Sequence, residues 1–407
     1  MKEFETYILP NGIKGIHRRT KSSIAHCALV INAGTRDERK GEEGIAHFTE
    51  HGFFKGTEHR KAHQVNCRLE NLGGELNAYT TKEDTTVHAT VLRGDFTKAV
   101  ELLADVVFHS TFPDHELDKE REVILDEINT YRDSPMDAIY DEYEDLIFAG
   151  SELGHNILGT PKHVKHFTTA SARSFTERYY HPSNAVLFVY GNIPFSRIVT
   201  WAERFTANIP SGSANTHRTA PLPYVPRQVE LSRRTHQTHV MIGCTSYPSG
   251  DKRRTGLYLL NNMLGGPGMN SRLNLALREH TGLVYSVESN LMSYTDTGVF
   301  SIYFGTDTAE ADRCIELTLK ELDRLREHRL TTLQLAAAKK QLIGQVGVAS
   351  DHFENTALGM AKTYLHYGEY EGSEALFRRI EALTAEELWD ISNELFRREN
   401  LAVLIYR

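Results

Sequence analysis

Hydrophobic and polar residues follow two periods along this chain, and the places where the period changes mark its elements. Tyr7-Ile8-Leu9 runs into Pro10-Asn11-Gly12, and the apolar pattern resumes from Ile13 to His17, which predicts a hairpin. Ser23 to Ala33 reads as a strand whose unbroken Ala28-Leu29-Val30-Ile31 run suits a sheet covered on both faces. Gly34 to Glu43 is polar and predicts a loop. A helix follows over the stretch from Gly44, and another over His63 to Leu72, stopped by Gly73-Gly74. Glu75 to Leu92 holds two strands, the second rich in β-branched residues. Asp95 to His109 is amphipathic, with Phe96, Ala99, Val100, Leu103, Val106 and Val107 on one side. Helices are predicted at Asp114 to Asp133, Asp137 to Phe148 and Ser171 to Tyr180, then a closing strand at Asn184 to Gly191.

From Pro210-Ser211-Gly212 through Pro221-Leu222-Pro223 the chain loses all periodicity and fills with turn formers. Beyond it the order of elements repeats. Thr238 to Cys244 matches the strand at 25–31. A helix near Gly256 to Leu264 leads into Gly265-Gly266-Pro267-Gly268. Strands at Leu283 to Glu288 and Gly298 to Phe304 precede an amphipathic helix, Asp307 to Arg326. Both halves end alike, Asn184-Ala185-Val186-Leu187 beside Asn400-Leu401-Ala402-Val403. The pattern predicts an α+β protein of two similar domains, each a mainly antiparallel sheet covered by helices. The expected boundaries are 1–212 and 224–407, with 213–223 as linker.

The length of 407 residues agrees with two domains. A hydrophobic fraction of 40% and a charged fraction of 25% are those of a soluble globular protein. A net charge of -8 argues against nucleic acid as a partner. There is no run of 18 apolar residues for a membrane span, and the acidic N-terminus lacks the apolar core of a secretory signal. Cys27, Cys67, Cys244 and Cys314 lie far apart, so reduced thiols and a cytoplasmic location are expected.

The candidate chemistry lies in Gly44-Ile45-Ala46-His47-Phe48-Thr49-Glu50-His51. In a helix, His47 and His51 stand one turn apart on one face, where two imidazoles can grip one Zn²⁺. Glu50 is placed to reach a water there as a base without being a ligand. With 20 histidines in the chain, chance remains an alternative reading, so a third ligand is needed. Glu120 and Glu127, seven residues apart, share a face of the helix after Pro113, either as a ligand with its partner or as two acids on a solvated face.

At this point the chain resembles the M16 peptidases, the inverzincin group that includes pitrilysin, insulysin and the mitochondrial processing peptidase. The resemblance rests on Gly-x-Ala-His-x-x-Glu-His followed by Phe54-Lys55-Gly56-Thr57, and on the later Glu120/Glu127 spacing. It extends to Asn77-Ala78 and, in the second half, to Ser271-Arg272-Leu273 and Arg278-Glu279-x-x-Gly282-Leu283-x-Tyr285. Thr49 departs from it, standing where many relatives carry a bulky apolar residue.

The resemblance implies one Zn²⁺ per chain held by His47, His51 and Glu127, with Glu120 supporting the site and Glu50 as general base. Mn²⁺ or Co²⁺ would suit the same ligands. It implies a substrate peptide laid along the strand carrying Asn77 and Ala78. Arg278 and Tyr285 would hold the substrate carbonyl and developing oxyanion, and whether in their own chain or in a partner is left open. It further implies a dimer, most simply a homodimer, otherwise a heterodimer with a sister chain, enclosing peptides or unfolded segments. The rival reading is a structural partner subunit without catalysis.

Overall fold

The computed structural model describes residues 4–407 apart from 215, 217, 234, 351 and 352. The chain opens with β1 (Glu5–Ile8), β2 (Lys14–Arg19) and β3 (Ile24–Ile31), then α1 (Ile45–Gly52) and α2 (Ala62–Glu70). Next come β4 (Glu75–Thr80), β5 (Thr85–Leu92), α3 (Phe96–Phe108), α4 (Asp114–Asp133) and α5 (Pro135–Ile147). The first half closes with α6 (Pro161–Val164), α7 (Thr169–Tyr179), β6 (Ala185–Gly191) and α8 (Phe195–Thr206). The second half starts with β7 (Gln228–Leu231), β8 (Thr238–Ser246), α9 (Arg254–Gly265), β9 (Val284–Ser293) and β10 (Gly298–Thr306). It ends with α10 (Ala311–Glu327), α11 (Thr332–Ser350), α12 (Phe353–Tyr367), α13 (Ser373–Ala382), α14 (Ala385–Leu395) and β11 (Ala402–Tyr406). The sequence pattern assigns no element to α6, α8, β7, α11, α12, α13 or α14. For α11 the reason is physical: its buried positions are Ala338 and Leu342, too thin a stripe to stand out.

The two sheets have one plan. The first runs β1-β2-β6-β3-β5-β4 and the second β7-β11-β8-β10-β9. In the first, β2 and β6 are parallel and the remaining neighbours antiparallel. In the second, β7 and β11 are parallel and the rest antiparallel. Removing β1 makes the two sheets identical in order and sense, which is the structural form of the repeat.

Each sheet is buried on both faces. One face of the first sheet packs against α1, α3, α4, α7 and α8 through residues such as Leu29, Phe48, Leu103, Ile124, Phe175 and Ile198. On its other face Ile16, Ala28, Val30 and Phe188 meet Met360, Ala361 and Tyr364 of α12. In the second sheet the large face carries α9, α10, α13 and α14, and the opposite face carries Ile139, Tyr143 and Ile147 of α5 against Met241, Tyr303 and Leu404. The compact units are therefore not the sequence halves. One comprises Met1–Asn129, His155–Arg218 and Ala349–Gly372; the other Thr130–Gly154, Thr219–Val348 and Ser373–Arg407. Each half lends one helix to the other half's sheet. An amphipathic stripe says that a helix is covered, not by which sheet. Cys27, Cys244 and Cys314 are buried free thiols, and Cys67 is half-buried. Among the described residues no helix is long and apolar enough to cross a membrane.

Candidate metal centre

The helix that carries the motif is eight residues long, too short to stand by itself in water. Packing and capping hold it. Ile45, Ala46, Phe48, Thr49 and Gly52 are buried, and Phe48 lies 5.4 Å from Phe167 between ring centroids. It begins at Gly44, whose φ of +101° favours glycine. A Cβ there would also stand 2.8 Å from the Leu158 carbonyl oxygen. The loop before it, read from the sequence as polar, is buried over residues 34–38, and its acids are paired. Glu38 accepts from the Gly44 N–H at 2.9 Å and the Ala46 N–H at 2.8 Å, and His155 Nε2 donates to it at 2.8 Å.

From this helix His47 and His51 project together, ring centroids 4.7 Å apart. The anchored side of α4, Leu117, Ile124 and Ile128 in the core, turns Glu120 and Glu127 toward them. Glu127 Oε2 stands 3.7 Å from His47 Nε2 and 3.5 Å from His51 Nε2. One donor atom from each of the three lies within 4.8 Å of the others, and this is the single such group of His, Cys, Asp or Glu among the described residues. Tetrahedral donors around Zn²⁺ sit roughly 3.3–3.5 Å apart at ordinary bond lengths, so the set fits with little adjustment. His47 supplies a second fit. It is buried, and its Nε2 faces the Glu127 carboxylate beyond hydrogen-bond reach. A divalent cation between the three side chains would satisfy that nitrogen.

Glu120 and His51 settle the tautomer. His51 Nδ1 donates to Glu120 Oε2 at 2.9 Å, leaving Nε2 to face the centre. Lys55 Nζ holds the other Glu120 oxygen at 2.5 Å, so the resemblance's Lys55 has a physical task. Burial, and then the charge of His51 beside it, pushes the His47 imidazole below its usual range. Burial would lower His51 as well, but its bonds to Glu120 and Glu127 prevail and push it up to about 9. The His51 contact holds the Glu127 carboxyl below its usual range. One neutral imidazole and one proton-holding imidazole around a carboxylate form a donor set that exchanges a proton for a cation.

Glu50 is buried beside this group and outside it. Burial raises its carboxyl above the usual range, and Thr80 and His51 pull the other way. The Thr80 contact falls short of a well-formed bond, since Thr80 Oγ1 has no hydrogen-bond partner. Asn77 and Ala78 lie on β4, the edge of the first sheet, where the Ala78 N–H donates to Asn77 Oδ1 at 2.9 Å. In the other unit, Arg278 belongs to a π-helical turn, Asn274–Glu279. Its guanidinium carbon lies 5.9 Å from the Tyr285 ring, which is 84% exposed. Sequence reasoning missed Glu38 and His155. The one available signal was an acid six residues before Gly44, in a stretch that reads as loop.

Comparison with known proteins gives the following. Residues 16–161 match the family described as Insulinase (Peptidase family M16), and residues 166–342 match the Peptidase M16 inactive domain. The chain is 32% identical over 401 residues to the "Uncharacterized zinc protease YmxG" of Bacillus subtilis, covering 98% of this chain and 97% of that one. It is 31% identical to the "Uncharacterized zinc protease SCO5738" of Streptomyces coelicolor, covering 97% and 88%. The crystal structure of a protease from Helicobacter pylori superposes with a TM-score of 0.91 at 21% identity, over 100% of both chains.

Proposed function

The chain belongs to peptidase family M16, and on that premise we propose that it is a zinc-dependent endopeptidase acting on peptides or unfolded segments. The observation that carries this reading is the convergence of His47, His51 and Glu127, with Glu50 buried alongside. The first three would hold the ion. When bound, a divalent ion there supplies Lewis acidity, lowering the pKa of water toward about 7 and favouring negative charge on a carbonyl oxygen.

The remaining work falls to the chain itself. The Glu50 carboxylate takes a proton from the attacking water and passes it to the leaving amine nitrogen. Its burial matters here, because a carboxylate shielded from bulk water is a stronger base than an exposed one. The edge of β4 at Asn77 and Ala78 receives the extended substrate by main-chain pairing, a contact that favours broad sequence preference. Arg278 and Tyr285 are assigned to the substrate carbonyl and the developing oxyanion; the exposure of Tyr285 leaves its ring free for a ligand. We assign the protein to a homodimer that encloses its substrate.

The test is hydrolysis of a mixed set of quenched fluorescent peptides by wild type and Glu50→Gln, with bound metal measured in both. The reading expects stoichiometric metal in both proteins and a rate at least about 100-fold lower in the variant. Equal rates, or a wild type that takes up no zinc, would refute it.

A further inference from the structure

We propose that Glu38, held by His155, is a positioning residue for the metal centre: it fixes the first turn of α1 and thereby sets how tightly His47 and His51 hold a cation. The inference rests on the metallopeptidase reading above and concerns residues that touch neither metal nor substrate.

The first N–H groups of a helix have no partner within it. In α1 the Gly44 cap supplies no side chain. The Ile45 N–H donates to the Glu42 carbonyl at 2.9 Å. Those of Gly44 and Ala46 are both taken by the single Glu38 carboxylate, one on each oxygen. Ala46 is the residue before His47, so this bond fixes the Ile45–Ala46 peptide, one residue ahead of the first ligand. A carboxylate at a helix N-terminus also meets the positive end of the helix dipole. A cap of this kind matters more in a helix of eight residues than in a long one, because α1 has few internal hydrogen bonds to set its axis.

Glu38 is in turn fixed. Its side chain is fully buried, and His155 Nε2 meets the oxygen that bonds Gly44. The backbone carbonyl of His155 accepts from Lys82 Nζ at 2.5 Å. Lys82 lies in the turn after β4, and its own carbonyl accepts from the Arg36 N–H. Burial raises the Glu38 carboxyl above its usual range, while the bonds from His155, Ala46 and Gly44 pull the other way. Each of the three partners donates, which is the surrounding of an anion. One carboxylate thus joins the metal helix to the segment beginning at His155 and, through Lys82, to the end of the substrate-bearing strand.

The experiment measures zinc affinity by competition with a chromophoric chelator, for the full-length wild type, Glu38→Gln and His155→Gln. Ile198→Ala, a buried residue of α8 away from α1, serves as a control destabilised to a similar Tm. Gln at 38 keeps the shape but turns one acceptor into a donor facing a backbone N–H. The inference expects Glu38→Gln to bind zinc about 10–100-fold more weakly, His155→Gln to move the same way by less, and Ile198→Ala to bind as wild type. Wild-type affinity in Glu38→Gln, or equal weakening in Ile198→Ala, would overturn it while leaving the metal centre intact. A wild type that binds no zinc would sink the metal centre and the inference together.

Discussion

Removal of one arginine should unfold the unit that carries the metal centre at a markedly lower denaturant concentration. Arg218 lies in the stretch expected to be a linker, yet its guanidinium bonds both oxygens of Asp37, at 3.1 and 2.8 Å, and the Glu83 carbonyl at 2.6 Å. The Asp37 side chain is 2% exposed and that of Arg218 12%. Arg218→Met keeps the apolar stem and leaves Asp37 with the Gly34 N–H, at 2.9 Å. Removing one member of a buried pair costs about 3–5 kcal/mol, because the other charge stays behind uncompensated. The remaining Gly34 bond places the expectation at the low end, about 3 kcal/mol, or a urea midpoint lower by about 1–2 M. Asp37→Asn should also destabilise, and the double variant should lose at least about 1 kcal/mol less than the sum of the two, since it removes both charges at once. The chain has two tryptophans. Trp201 lies in the same unit as Arg218 and Trp389 in the other. In a Trp389→Phe background, Trp201 fluorescence therefore reports the relevant unit. A midpoint shift worth under about 0.5 kcal/mol for Arg218→Met, or strict additivity in the double variant, would refute the argument.

Three further outcomes follow from particular contacts. Glu120→Gln should weaken zinc binding about tenfold, seen in the same chelator competition, because His51 Nδ1 and Lys55 lose a charged acceptor. Gly44→Ala should cost about 1–3 kcal/mol, read from the Trp201 transition, through its positive φ and the Leu158 oxygen a Cβ would meet. Burial would raise Asp105, but His59, Arg60 and Thr57 prevail and depress its carboxyl. Its contribution is therefore present above the unfolded value of about 3.9 and lost as pH falls through the lower folded value. The stability gap between wild type and Asp105→Asn should be full at pH 7 and shrink below about pH 4, and a gap unchanged at pH 3 would contradict the shift.

These contacts differ in how far they could be read from the sequence. His47 and His51 face one way because they are one turn apart, and Glu120 and Glu127 because they are two turns apart. Such relations are fixed by helix geometry and need no knowledge of the rest of the chain. The strands around them were legible because their signals are also local, an unbroken apolar run at Ala28 to Ile31 and β-branched residues in Thr85 to Leu92. Which sheet a helix covers is a different question. Ile139, Tyr143 and Ile147 of α5 announce an apolar face, and nothing in that face names the second sheet rather than the first.

The polar loop before α1 shows the same limit in its chemistry. Arg36, Asp37 and Glu38 lie in a stretch that reads only as polar loop, and burying such charges is costly unless they are paired. The pairing exists, but its partners are remote: His155 is 117 residues from Glu38, and Arg218 is 181 from Asp37. No local period reports a partner at that distance. The consequence reaches the site, since Glu38 holds the start of the helix that presents both histidines, and Asp37 stands next to it. The ligands were legible because they are local to one another. The frame that fixes their spacing was not, because each of its charges is explained by a residue from another part of the fold.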